Sequence, residues 1–229
     1  MSGYVTGAAV VALKFDEGVL MIADTKLSLG RMARYMNVKR MQEVSKNTLL
    51  CCSGDAADHQ YLSDLLKRVV QTELLAHRND ESKTLLNAEM LLNYTSRVLY
   101  SRRTKLDPVL VSAVVGGFSR GEPFLGYTDY YGTKYTDDFV VTGLGKYFAI
   151  GPLREEHRPT MSLAEARDLA VRCMRLLYLR DCTASVRVQV GYVTKNGVFV
   201  DEPFLLDSKW DYAKFAAPTS ALPIAGNQF

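Results

Sequence analysis

Two aspartates are the first candidates for polar chemistry in this sequence: Asp24 closes an apolar run, and Asp181 follows a stretch of helical periodicity. A carboxylate at either place can act as a general base or charge partner, and it can equally satisfy backbone amides at a strand or helix end, so spacing alone leaves both roles open. The other chemistry-bearing residues are scattered. His77 and His157 fall in polar stretches expected to be exposed, and His59 sits in the first turn of a helix, where a surface position is expected. Composition leaves a Ser/His/Asp or Cys/His triad open, but no G-x-S-x-G elbow accompanies these residues. Cys51 and Cys52, adjacent at a strand end, should point to opposite faces and pack as separate thiols. With Cys173 and Cys182 they form neither a C-x-x-C pair nor a metal-ligand cluster, so no metal is expected. Gly116-Gly117 and Gly143-Leu144-Gly145 lack the spacing of phosphate loops and read as turns.

The elements that must position these residues begin with strands. Residues 10–15 are nearly all apolar, Asp16-Glu17-Gly18 has turn composition, and 19–23 is apolar again, which predicts a hairpin covered on both faces. After a further apolar run at 48–52 the period changes. Asp55 can cap a helix, and Leu62, Leu65, Leu66, Val69 and Val70 repeat at helical spacing, predicting a helix over 56–77. A polar break at 78–83 precedes a second helix ending near Arg103, with Pro108 beyond it. Strands return over 109–115, ending at the glycine pair, then over 123–127 and, past a turn at 129–132, up to Thr142. Ser162-Leu163-Ala164-Glu165 has capping-box spacing, and Ala166, Leu169, Ala170, Cys173, Leu176 and Leu177 line one face of a helix running to Arg180. An Asn196-Gly197 turn joins 186–193 to 198–206. This order predicts an α+β fold with two sheets between helical layers, a four-layer α-β-β-α sandwich.

At 229 residues, 48% hydrophobic, 23% charged and a net charge of +3, the chain is neither disordered nor a coiled coil. It is long enough to bury roughly 70% of its unfolded surface without disulfides. No stretch approaches about 18 uninterrupted apolar residues and no leader pattern opens the chain, so an intracellular protein without a membrane partner is expected. The densest basic run, Ser101-Arg102-Arg103-Thr104-Lys105, is short and lacks interleaved aromatics; it reads as cations at a helix C-terminus and not as a nucleic-acid surface. Residues 216–229 carry no charge but contain two prolines and spaced apolar residues, a composition that suits an extended arm docked on a partner better than a free tail. Fully extended they reach roughly 45 Å, at about 3.3 Å per residue.

The run Gly7-Ala8-Ala9-Val10-Val11-Ala12-Leu13-Lys14-Phe15, with Gly18-Val19 and Ala23-Asp24-Thr25, resembles the start of 20S proteasome beta subunits, which share the N-terminal-nucleophile hydrolase fold. The segments 34–38, 53–62, 97–108, 124–127 and 173–181 extend the likeness over about residues 5–212, those at 53–62 and 97–108 most specifically. The resemblance implies one beta-type domain over 1–212, its residues 1–7 a short segment before the first strand, and a C-terminal extended arm over 213–229.

In active members the mature chain begins with threonine directly after a glycine; its hydroxyl attacks the peptide carbonyl while the freed α-amine shuttles the proton. Here Gly7 is followed by Ala8, whose methyl has no lone pair to donate and no proton to lose. Thr6 would stand about 6.6 Å further along an extended strand, without a free amine. The family's lysine falls at Arg40, its serine between two glycines at Leu144, and its serine after the Arg-Asp pair near Ala184, with Ser185 one residue off. Asp24 and Asp181 remain. The resemblance thus implies a subunit with no catalytic residue, cofactor or metal. Its partners would be other beta subunits of its ring, the alpha ring, and the opposite beta ring, which the arm would reach through Pro218, Leu222, Pro223, Ile224 and Phe229. Assembly chaperones are further possible partners, and the location is cytoplasmic and nuclear. An active threonine endopeptidase and a small-molecule or peptide-binding module on the same fold are the alternatives.

Overall fold

Three apolar runs meet at the centre of the molecule because none of them has a polar face to give to water. In the computed structural model, which describes residues 3–77 and 86–208, β2 (Val10–Phe15) and β3 (Gly18–Asp24) form the expected hairpin, and β12 (Arg187–Thr194) pairs along the whole of β3. β11 (Phe139–Val141) adds to the outer side of β2, while β13 (Gly197–Val200) and the short β14 (Phe204–Leu205) add to β12, all antiparallel. The second sheet centres on β7 (Thr48–Asp55) and β8 (Val111–Ser119), continues through β9 (Glu122–Thr128) and β10 (Lys134–Thr136), and includes β6 (Met41–Ser45) against β7.

Helices cover both outer faces. α1 (Ala56–Ala76) is capped by Asp55, whose carboxylate accepts from the Ala57 and Asp58 amides, and α2 (Ala88–Thr104) is capped by Asn87. Together they bury Leu62, Leu66, Leu91 and Leu99 against Leu50, Cys52 and Val115 of the second sheet. α5 (Leu163–Arg180), with its complete Ser162–Glu165 capping box, lays Leu169, Ala170, Cys173 and Leu177 on Val11, Leu13, Leu20 and Ile22 of the first sheet. The short α3 (Gly145–Phe148) and α4 (Ile150–Glu156) complete that layer. Between the sheets lies a third core of Ala12, Val19, Met21, Leu49, Cys51, Val114 and Leu125. Each fully buried aliphatic chain contributes about 1.5–3 kcal/mol. The four-layer α-β-β-α sandwich follows from these three cores. Cys51 and Cys52 face different ones, as the alternation of a strand requires.

Several elements differ from the sequence reading. Gly116 and Gly117 are not a turn; they lie inside β8, where a Cβ on Gly116 would stand 2.8 Å from Val19 and one on Gly117 would stand 2.2 Å from the Asn47 carbonyl. Close approach, not chain reversal, demands glycine there: of the other sheet at Gly116, and of the neighbouring chain at Asn47 and of Ala88 on the covering helix at Gly117. Gly143, with φ +56°, does turn the chain into α3. The stretch 198–206 breaks at residues 201–203 into two strands. Residues 27–35 hold a hairpin, β4 (Leu27–Leu29) and β5 (Met32–Tyr35), too short to show a period, and β1 (Val5–Gly7) is a strand before the predicted first one. β1 fills the gap between β7 and β4, pairing Gly7 with Gly54 and Leu27, and Thr6 with Asp55 and Ser28. The polar break at 78–83 and the arm at 213–229 lie outside the described residues.

Candidate degenerate active site

The chain leaves β1 at Gly7 and enters β2 at Val10, so Ala8 sits at the junction of the two sheets. Arg40, just before β6, reaches under this junction and is 98% buried. Its Nη2 donates to the Ala8 carbonyl at 2.6 Å and the Cys52 carbonyl at 2.8 Å, and its Nη1 to Asp24 Oδ1 at 2.5 Å. A Cβ on Gly7 would stand 2.7 Å from Arg40 Nε, so the guanidinium occupies the space below residue 7 and only glycine fits above it. Burial pushes the Asp24 carboxyl up to about 6, the loss of solvation outweighing the pull of the Arg40 and Lys26 charges. Arginine keeps its proton at any such pH, so it fixes charge here but cannot pass a proton to or from residue 8.

Ala8, Leu144 and Asp181 line one cavity of about 400 Å³, together with Gly7, Ser53, Ser112 and Tyr130. Leu144 stands over it, half exposed, in the turn that leads into α3. Asp181, at the C-terminal end of α5, is buried and accepts at Oδ1 from the Thr183 amide at 2.8 Å and from the Thr183 hydroxyl at 2.7 Å. Ala184 donates its amide to the Asp181 carbonyl and offers no polar side chain. Ser185, beside it, accepts from the Arg187 amide, a turn contact within its own loop. The structure therefore brings Ala8, Asp24 and Arg40 into one hydrogen-bonded group, places Leu144 and Asp181 around the same cavity, and leaves Ala184 in the adjoining turn. At position 8 alanine offers no lone pair, and the leucine at 144 offers none either; the hydroxyls around the cavity are those of Ser53, Ser112, Tyr130 and Thr183, the last held by Asp181.

Two features escaped the sequence reading. His59 is not a surface residue but is about nine-tenths buried, and burial with the Arg40 and Lys67 charges lowers it to about 4, so its ring is neutral at pH 7. Its signal was present: His59, Leu62, Leu66 and Val70 continue one helical stripe, all buried in α1. His157, expected to be exposed, is partly buried, with Nε2 2.9 Å from the Lys14 carbonyl and its ring edge-on to Phe139. The second feature is β1, which runs straight into residue 8 along the slot between β4 and β7. An extended peptide presented to residue 8 along this slot would meet a strand of the chain itself, already hydrogen-bonded on both edges.

Comparison with known proteins identifies relatives of this chain. A family model described as "Proteasome subunit" matches residues 4–193. The chain is 40% identical over 212 residues to "Proteasome subunit beta type-4" of Xenopus laevis, covering 91% of this chain and 86% of the relative. It is 35% identical to the protein of the same name from Arabidopsis thaliana, covering 95% and 87%. To "Proteasome subunit beta type-7" of Saccharomyces cerevisiae it is 32% identical over 219 residues, covering 92% and 82%.

Proposed function

Because this chain belongs to the proteasome subunit family, we propose that it is a non-catalytic, structural member of the beta ring of the 20S core particle, of the type named beta type-4 or beta type-7 in its relatives. The observation that carries the reading is Ala8 at the position of the family's threonine, with Arg40 hydrogen-bonded beneath it and β1 lying in the slot in front of it. Loss of the nucleophile alone removes the reaction. The protonated arginine, the leucine at position 144 and the alanine at 184 then leave no partial machinery that a neighbouring group could complete.

The contribution to protein degradation is architectural. A beta-type domain over 1–212 packs beside other beta subunits and on the alpha ring, and the arm over 213–229, through Pro218, Leu222, Pro223, Ile224 and Phe229, holds the opposite beta ring. Half-barrels are joined in this way into a particle that degrades ubiquitin-tagged proteins in cytoplasm and nucleus. The uncharged, proline-containing composition of residues 216–229 supports this role.

The test is recovery of the native complex through a tag linked beyond Phe229, followed by native mass measurement and intact mass of this chain. A particle many times the 25.6 kDa of the chain, holding two copies of it and with residues upstream of Ala8 still attached, is the expected result. A lone monomer, or a chain cut to expose a new N-terminal threonine or serine, refutes it.

A further inference from the structure

The Arg102-Arg103 segment takes no part in the degenerate site, yet the fold surrounds it with tyrosines. Arg102, in the last turn of α2, stacks 5.3 Å from the ring of Tyr61 on α1. Arg103 lies 5.9 Å from the Tyr100 ring and 5.4 Å from that of Tyr131, which itself stands 3.9 Å from Tyr130 in the loop after β9. Tyr61, Tyr100, Tyr130 and Tyr131 are all exposed. The run that shows no interleaved aromatics in sequence therefore acquires them in space, from three separate elements.

This surface is fixed before anything binds it. Asp129 Oδ1 accepts from the Tyr131 and Thr133 amides, and Ser96 Oγ donates to the Gly132 carbonyl, which ties the tyrosine loop to α2. Arg102 donates to the Asp107 carbonyl and pairs with its carboxylate at 2.7 Å, closing the turn on which Leu106 stands. Leu106 is 93% exposed and holds φ +58°, a conformation that costs a leucine energy and hides none of its side chain. Ordered tyrosines and arginines around an exposed aliphatic residue are the composition of a binding hot spot, with most of the ordering cost already met.

Charge identifies the occupant. Arg103 and Lys105 are exposed, and among the described residues no carboxylate lies within ion-pair reach of either; the nearby Asp107 is engaged with Arg102 and Asp129 with its own loop. A polyanion that stacks its bases is disfavoured, because arginines already lie over the Tyr61, Tyr100 and Tyr131 rings. We propose that this face receives an acidic segment of a neighbouring subunit in the same beta ring, with Arg103 and Lys105 pairing to its carboxylates and Leu106 entering an apolar recess beside them. The proposal rests on the ring-subunit reading above.

It is tested in the assembled particle by placing a photo-crosslinking amino acid at position 106 and, separately, by the charge reversal Arg103→Glu with Lys105→Glu. The crosslink should map to one beta subunit of the same particle, within a peptide carrying aspartate or glutamate. The charge reversal should cut the share of the chain found in particles at least tenfold, and a lysine replacing the mapped partner carboxylate should restore it. Both residues are exposed, so the reversed chain should keep its circular dichroism, and Arg103→Lys should assemble normally. A crosslink to RNA, to a peptide without carboxylates or to no subunit overturns the proposal, as does unchanged incorporation of the reversed chain. If the unaltered chain is itself absent from any multi-subunit particle, the ring reading fails and this surface assignment falls with it.

Discussion

Replacing Arg40 by alanine should cost this protein a large part of its stability although no catalytic function is lost. Among the described residues the guanidinium is the cation in contact with the buried Asp24 carboxylate, and it donates to the part-buried Ala8 carbonyl at 2.6 Å and the buried Cys52 carbonyl at 2.8 Å. Removing one partner of a buried ion pair costs about 3–5 kcal/mol, because the other charge stays behind unpaired. Against a total stability of about 5–15 kcal/mol that is a large fraction. At roughly 2–4 °C per kcal/mol for a chain of this size, the melting temperature should fall by about 6–20 °C. The assay is thermal denaturation of the purified chain at pH 7. The double variant Arg40→Met with Asp24→Leu, which removes both charges and keeps much of the volume, should recover most of the loss. An Arg40→Ala variant melting within about 2 °C of the parent, or a double variant no better than the single, would refute the assignment of Arg40 as the polar keystone under residue 8.

Asp24 also sets a pH dependence. Its folded pKa of about 6 lies above the roughly 3.9 of an unfolded aspartate, so its contribution is fully present below about pH 4 and is lost as pH rises through about 6. Relative to Asp24→Asn, the parent should therefore gain stability as pH falls from 7 to 4.5, read from urea midpoints; an opposite slope contradicts the shift. Ala8→Thr, with the new threonine freed by cleavage after Gly7, should still form no covalent adduct with an electrophile selective for N-terminal threonine, because Arg40, Leu144 and Ala184 remain; intact mass of the chain decides. Gly116→Val should destabilise by about 1–3 kcal/mol through overpacking against Val19 and Met21, visible as a lowered melting temperature, whereas a solvent-facing turn would tolerate it. Deleting residues 216–229 should weaken the joining of half-barrels in native gels while leaving the single-ring intermediate; unchanged assembly removes the arm from the account.

Legibility in the sequence followed the length and periodicity of each element. The capping box at Ser162 and the stripe from Ala166 to Leu177 placed α5 to within a residue, and the unbroken apolar runs of β2 and β3 placed the central hairpin. Three-residue strands such as β1 and β4 carry no readable period; they exist because neighbouring backbones offer them partners. The glycine pair at 116–117 misled because composition cannot distinguish a glycine needed for turning from one needed for close approach. At the site, the resemblance supplied the positions Ala8, Asp24, Arg40, Leu144, Asp181 and Ala184. Residue types alone left Asp24 and Asp181 as one carboxylate role among several. What no pattern contained was the geometry of Arg40, whose partners come from residues 8, 24 and 52, far apart in the chain.

The place of β1 in the second sheet has a consequence for how such a chain can change over time. Among the described residues, β4 and β5 join that sheet only through β1. A cut behind Gly7 would separate β1 from the rest of the chain, and with it the backbone that holds β4 to β7. With alanine at position 8 that cut would free no hydroxyl nucleophile, so the chemistry of residue 8 does not ask for it. Seven strands thereby form one continuous ladder, with β6 beside β1 on the same edge of β7, and the β4–β5 hairpin is mortared through β1 to the wall behind it.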